Sequence, residues 1–138
     1  MRLRILFFAL LWLACTAQAF SQSKSPEELI ADFHRLLISE SPESVTTTYL
    51  GDLARDKESR DNFNKQFRFL HDNFGKSEGY DIIDKNRFSD NLISYNCIFR
   101  YEIPVYFRFL FYRYEGNWKI TYFFFSQDAA RNLGVDTD

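Results

Sequence analysis

The chain has 138 residues and a mass of 16.5 kDa, the size of one domain, and 46% hydrophobic residues suffice for a real core. Seventeen Lys and Arg against nineteen Asp and Glu give a formal net charge of −2, or −4 once the first nineteen residues, which hold Arg2 and Arg4 and no acid, are set aside. That balance removes any electrostatic reason to bind nucleic acid or an anionic membrane surface.

Arg2 and Arg4 form a basic start, Ile5 to Ala14 an apolar run, and Ala17-Gln18-Ala19 a small-residue cleavage site. Together they predict a secretory signal peptide over residues 1–19 and an exported mature chain, placed in a bacterial periplasm or secreted. The run is too short to span a bilayer, so no transmembrane segment is expected in the mature chain. A competing reading makes Cys15 a lipid-anchored N-terminus. Trp12, however, stands where a signal resembling the bacterial lipobox has Leu, and cleavage after Ala19 is preferred. Cys97 alone then remains, which excludes an intramolecular disulfide. A reactive thiol is weighed there against a small apolar residue on the inner side of a strand, and the apolar reading is favoured.

Residues 20–24 are short and polar and predict a disordered mature N-terminus. The domain proper is expected over 25–128. Ser25-Pro26-Glu27-Glu28 is a capping box with Pro at the first helical position, and Leu29, Ile30, Phe33, Leu36 and Leu37 continue it as an apolar stripe to about Ser39. Ser41-Pro42-Glu43 repeats the start signal and predicts a short second helix to about Leu50, with Val45, Tyr49 and Leu50 inward and Gly51 as its stop. A third helix is predicted from about Ser59 to Phe74, with Phe63, Phe67, Leu70 and Phe74 on one face and Gly75 ending it.

A first strand is expected over Gly79 to Asp84, with Asp81 and Asp84 on opposite sides, followed by a turn or irregular strand from Lys85 to Asn91. The stretch from Ile93 to Gln127 then alternates as strands. Tyr95, Cys97, Phe99 and Tyr101 share a side, and Pro104 is expected to connect them in the parity that sets Cys97 and Phe99 beside Phe107 and Phe109. Placing Gly116 and Asn117 in a type II′ turn sets Phe109 opposite Phe124, Phe111 opposite Tyr122 and Arg113 opposite Ile120. The other side carries Tyr106, Arg108, Leu110, Tyr112 and Tyr114 against Lys119, Thr121, Phe123, Phe125 and Gln127. Residues 129–138 lose periodicity and predict a flexible tail. Helices first and strands after define an α+β class, with N-terminal helices packed on an antiparallel sheet.

That order, with Phe111-Tyr112-Arg113 running into Gly116-Asn117-Trp118-Lys119-Ile120, resembles the NTF2-like superfamily of cone-shaped, cystatin-like α+β domains, and in particular its small secreted bacterial members of unknown function. The resemblance covers about Ser25 to Gln127. It implies a curved sheet with a pocket between sheet and helices, and a superfamily that includes a ketosteroid isomerase, polyketide cyclases, dehydratases and binding modules without chemistry.

The expected pocket residues are Tyr95, Tyr101, Phe107, Phe109, Phe111, Tyr122 and Phe124, with Cys97 among them. An isomerase of this kind needs a carboxylate base beside an oxyanion-stabilising donor, and no carboxylate lies in that set. Catalytic candidates are therefore confined to His34 and His71 with Tyr95 and Tyr101 as donors, each His weighed against the commoner role of flanking a core stripe. Arg113 is read either as a clamp for a ligand carboxylate or as a surface group paired with Glu115 or Asp84. Two separated His and one Cys give no metal-ligand pattern, and neither a metal nor a cofactor is expected. Tyr106, Leu110, Tyr112, Phe123 and Phe125 on the second face form an aromatic patch that predicts a homodimer through the sheets, against the alternative that the tail after Ala129 folds across it. The favoured function is a non-catalytic exported domain binding a small apolar or aromatic ligand or a protein partner. The alternative is an isomerase or dehydratase using a pocket His or Asp with a Tyr donor.

Overall fold

The computed structural model describes residues 23–39 and 41–128. The expected leader over 1–19, the competing anchor at Cys15 and the tail over 129–138 lie outside the described residues. Three helices precede four strands: α1 (Pro26–Leu37), α2 (Ser44–Tyr49), α3 (Lys57–Phe74), β1 (Tyr80–Ser89), β2 (Leu92–Arg100), β3 (Pro104–Tyr114) and β4 (Asn117–Ser126). The strands form one open antiparallel sheet in the order β1-β2-β3-β4, so the class is α+β. No described helix is long and apolar enough to cross a membrane.

The capping box of α1 forms as its residues dictate. Ser25 Oγ accepts from the Glu28 amide at 3.2 Å, and the Glu28 carboxylate accepts from the Ser25 amide at 2.7 Å. Lys24, just ahead of the cap, pairs with Asp32, and Tyr49 donates to the same carboxylate at 3.1 Å, which fixes the end of α2 against α1. The second start signal opens a turn rather than a helix: Ser41 and Pro42 accept from Ser44 and Val45, and α2 begins only at Ser44. Helix α3 starts two residues before the expected Ser59, because Asp56 is the cap and its Oδ1 accepts from the Ser59 amide at 2.8 Å. Gly75 ends α3 at φ 70°, in the left-handed region that glycine enters without penalty.

The central strand pair has the expected parity, and its register sets Cys97 opposite Phe107, Tyr95 opposite Phe109 and Phe99 opposite Val105. The two outer pairs depart from expectation, and each departure is a bulge. Strand β1 runs on to Ser89, and its ladder shifts between Ile82 and Asp84, so Asp81 and Asp84 share the outer face instead of opposing each other.

In the last hairpin the loop residues are Glu115 and Gly116, with φ of 49° and 79°, a type I′ pattern one position earlier than expected. Phe111 therefore pairs with Ile120 and Arg113 with Trp118. A bulge then leaves Thr121 as an extra residue, its hydroxyl donating to the Leu110 carbonyl at 3.2 Å. Beyond it the parity of β4 is inverted. Phe123 pairs with Phe109 and Phe125 with Phe107 on the inner face, while Tyr122 and Phe124 turn outward. Phe123 is buried in the core, whereas Tyr122 is half exposed, which corrects the expected placement of all four β4 aromatics.

Helices α1 and α3 cover the inner face. Phe33 is the hub: its ring meets Phe67 at 5.9 Å, Phe107 at 6.0 Å, Phe109 at 5.0 Å and Phe123 at 5.9 Å, mostly edge to face. Phe67, Phe99, Phe107, Phe109 and Phe111 are fully buried with it. Burying each such ring stabilises the fold by about 1.5–3 kcal/mol.

Candidate functional site on the outer face of the sheet

On the inner side the expected site residues serve the core and its margins. Phe107, Phe109 and Phe111 stack in sequence along β3 and are capped by Phe33 and Tyr95, ring against ring. These side chains fill the space between the sheet and α1, while a cavity of about 340 Å³ remains between α2 and β4, lined by Leu29, Tyr49, Trp118 and Ile120. Cys97 is buried beside them, and burial pushes its thiol up to about 12, which keeps it protonated. Tyr101 lies just past β2 with its ring against Phe74, and burial pushes its phenol up as well.

Tyr95 donates its hydroxyl to Glu27, in the first turn of α1. Lys85 reaches the same carboxylate oxygen at 2.8 Å and lies over the Tyr95 ring at 5.1 Å. Partial burial alone would raise the Glu27 pKa. The hydrogen bonds from Lys85 and Tyr95 outweigh it and hold Glu27 at about 2. A carboxylate so stabilised is a weak proton acceptor.

The two histidines are separate from this cluster. His34 is buried, packs on Phe99 and Tyr80, and its Nε2 meets Ser77 Oγ at 3.0 Å. Because Ser77 gives its own proton to the Gly79 carbonyl at 2.7 Å, the imidazole is the donor and the hydroxyl the acceptor. That spends the proton a serine nucleophile would have to yield to a base. Burial, and then the Arg100 guanidinium, push the His34 pKa below the ordinary imidazole value. His71 sits in the last turn of α3 beside Asp72, its Nδ1 at 3.3 Å from the carboxylate. Neither His is hydrogen-bonded to Tyr95 or Tyr101; their partners are Ser77 and Asp72. Arg113 donates to the Gly116 carbonyl at 3.4 Å and stacks on Trp118 at 5.8 Å, so it closes the hairpin rather than pairing with Glu115 or Asp84.

The outer face is built differently. Tyr106, Leu110 and Tyr112 stand on it as the sequence predicts, with Tyr122 and Phe124 in the places expected for Phe123 and Phe125. Tyr112, Tyr114 and Tyr122 are 43%, 55% and 50% exposed. At its centre lies a cavity of about 380 Å³ open to solvent, floored by Ser94, Asn96 and Leu110 and walled by Phe88 and Tyr122. A hydrogen-bonded row crosses it: Arg108 Nε donates to Asn96 Oδ1 at 2.9 Å, Asn96 Nδ2 to Asp84 Oδ2 at 3.4 Å, and Asn86 Nδ2 to the same oxygen at 2.5 Å.

Sequence reasoning placed Ser94 and Asn96 on the outer side of β2 but passed over them, because polar residues alternating with apolar ones ordinarily mark the wet side of a strand. Here both are at least nine-tenths buried. Asn86 and Phe88 were missed because the bulges of β1 hide its strand period. No protein-family model, curated protein or solved structure matches this chain.

Proposed function

We propose that the chain is an exported, non-catalytic binding domain of NTF2-like type, and that its working surface is the outer face of the sheet, where it takes a protein partner, in the first place a second copy of itself. The observation that supports this best is the row of exposed tyrosines at positions 112, 114 and 122 on a sheet face that no described helix covers. Monomers seldom leave such a surface in water. Four strands of about ten residues outline roughly 650 Å², and side-chain relief brings this near the roughly 800 Å² per partner of a standard interface.

Export rests on Arg2, Arg4, the apolar run and Ala17-Gln18-Ala19. The order of three helices and then an antiparallel sheet supports the NTF2-like assignment. The isomerase-type alternative gains nothing from Glu27, locked at about 2, or from His34, which spends its proton on Ser77.

The test is mass in solution. Sedimentation of the mature chain at micromolar concentration should give a dimer, and Tyr112→Asp, which changes an exposed side chain, should return it to a folded monomer that has lost only the stabilisation association supplies. A monomeric wild-type chain would defeat the self-association reading.

A further inference from the structure

We propose that residues 129–138 fold back across the outer face of the sheet, over the end where β4 finishes, and compete there with the second copy. This rests on the reading of the outer face as the surface of self-association and names what regulates it. Three observations carry it.

The first is how the chain leaves the sheet. Ser126, the last residue of β4, pairs with Tyr106 and has the parity of Phe124, so it stands on the outer side. Its Oγ accepts from the Asp128 amide at 2.9 Å. A hydroxyl that takes an amide two residues on bends the backbone and stops the strand. The chain turns at the rim of the outer face instead of running on past the sheet.

The second is reach. Ser126, Tyr106, Ile98 and Asp81 form one row across the four strands. Three strand spacings make that row about 14 Å long. The segment, extended, reaches about 33 Å, enough to cross the row with a turn to spare. Ala129, Ala130, Leu133 and Val135 give it apolar side chains to set against Ile98, Tyr106 and Phe124.

The third is the uneven exposure of the face. At its far end Tyr112 and Tyr114 are 43% and 55% exposed, whereas Ile98, Tyr106 and Phe124, at the end where the chain leaves, are half-buried. The less exposed end is the one within reach of the segment. A competing place is the hollow of about 410 Å³ on the helix side, lined by Lys65, Gln66, Phe69 and Phe125. Ser126 lies on the opposite side of β4 from it.

A dimer that uses the whole outer face can form only after each copy has moved its segment aside. Apparent affinity falls by the fraction of competent chains, so with about one chain in three open, two copies associate about ninefold more weakly than two bare faces.

The mature chain is compared with the double variant Leu133→Ser, Val135→Ser, which alters no residue of the sheet. Sedimentation should show the variant associating about ninefold more tightly. Spectra of ¹⁵N-labelled Tyr112→Asp, with and without the same two changes, read the contact in the absence of association. The amides of Ile98, Tyr106 and Phe124 should shift between the two, and those of residues 129–138 should lose their heteronuclear NOE. Unmoved amides at Ile98, Tyr106 and Phe124 overturn the proposal, as do shifts at Lys65, Gln66 and Phe69 in their place. Equal dimer affinity with and without the two changes overturns it as well. Two chains that stay monomeric while the shifts appear defeat the self-association reading and leave the folded-back segment standing.

Discussion

The Tyr95 hydroxyl, on the inner face of β2, donates to the Glu27 carboxylate in the first turn of α1, joining residues 68 positions apart. It anchors the start of the first helix to the middle of the sheet, while Lys85 from β1 closes the cluster from outside. The side chain of Glu27 is 43% exposed, so solvent screens the group.

This cluster has a pH signature. The Glu27 pKa falls from 4.5 to about 2 on folding, so its contribution is fully present above about 4.5 and is lost as the pH drops toward 2. Carboxyl titration by NMR should give a midpoint near 2 for Glu27, and Lys85→Met should return it toward 4.5. After allowance for solvent screening the cluster is worth about 1 kcal/mol. A wild-type midpoint near 4.5 would refute the account.

His34 works in the same direction at higher pH. Its folded pKa lies below the unfolded value of 6.5, so the unfolded chain takes up the proton first and stability declines as the pH falls below about 6.5. His34→Gln keeps a donor toward Ser77 and cannot titrate. Urea midpoints at pH 7 and pH 5 should differ less in this variant than in the wild type.

The inverted parity of β4 is checked by a pair of neighbours. Phe123→Ala removes a buried ring and should cost about 3–5 kcal/mol, while Phe124→Ala, on the other face, should cost less than half as much. Phe33→Leu, at the hub of the core, should lower stability by about 1–2 kcal/mol, with Phe33→Ala falling in the range of Phe123→Ala. Equal losses at 123 and 124 in chemical denaturation would contradict the bulge at Thr121.

Glu115 occupies the left-handed region at φ 49°, a conformation that costs a side chain about 1 kcal/mol. Asn accepts it more readily. Glu115→Asn should therefore raise the unfolding free energy by about 0.5–1 kcal/mol, whereas a loop placed at Gly116 and Asn117 would leave the variant without gain.

Cys97, with its thiol pushed up to about 12, should resist Ellman's reagent at pH 8 in the native chain and react at once in denaturant. Prompt reaction of the folded protein would show that the inner face of β2 opens to solvent.

Local chemistry in the sequence determined the elements themselves. Ser25, Pro26 and Glu28 are sufficient to start α1, Gly75 to end α3, and a period of 3.6 or 2 to assign the apolar faces of the helices, β2 and β3, because each signal acts within one or two turns of chain. The inward set of Cys97, Phe99, Phe107 and Phe109 was legible for the same reason. Tertiary structure alone decided which way the β4 aromatics face. A single extra residue at Thr121 inverts every side chain after it, and no local preference marks where a strand yields that residue; packing of Phe123 and Phe125 against Phe67 does. The same holds for the basin on the outer face. Asn96, Arg108 and Asp84 come from three strands, and only the completed sheet, with its bulge at Ile83, sets the three side chains in one row.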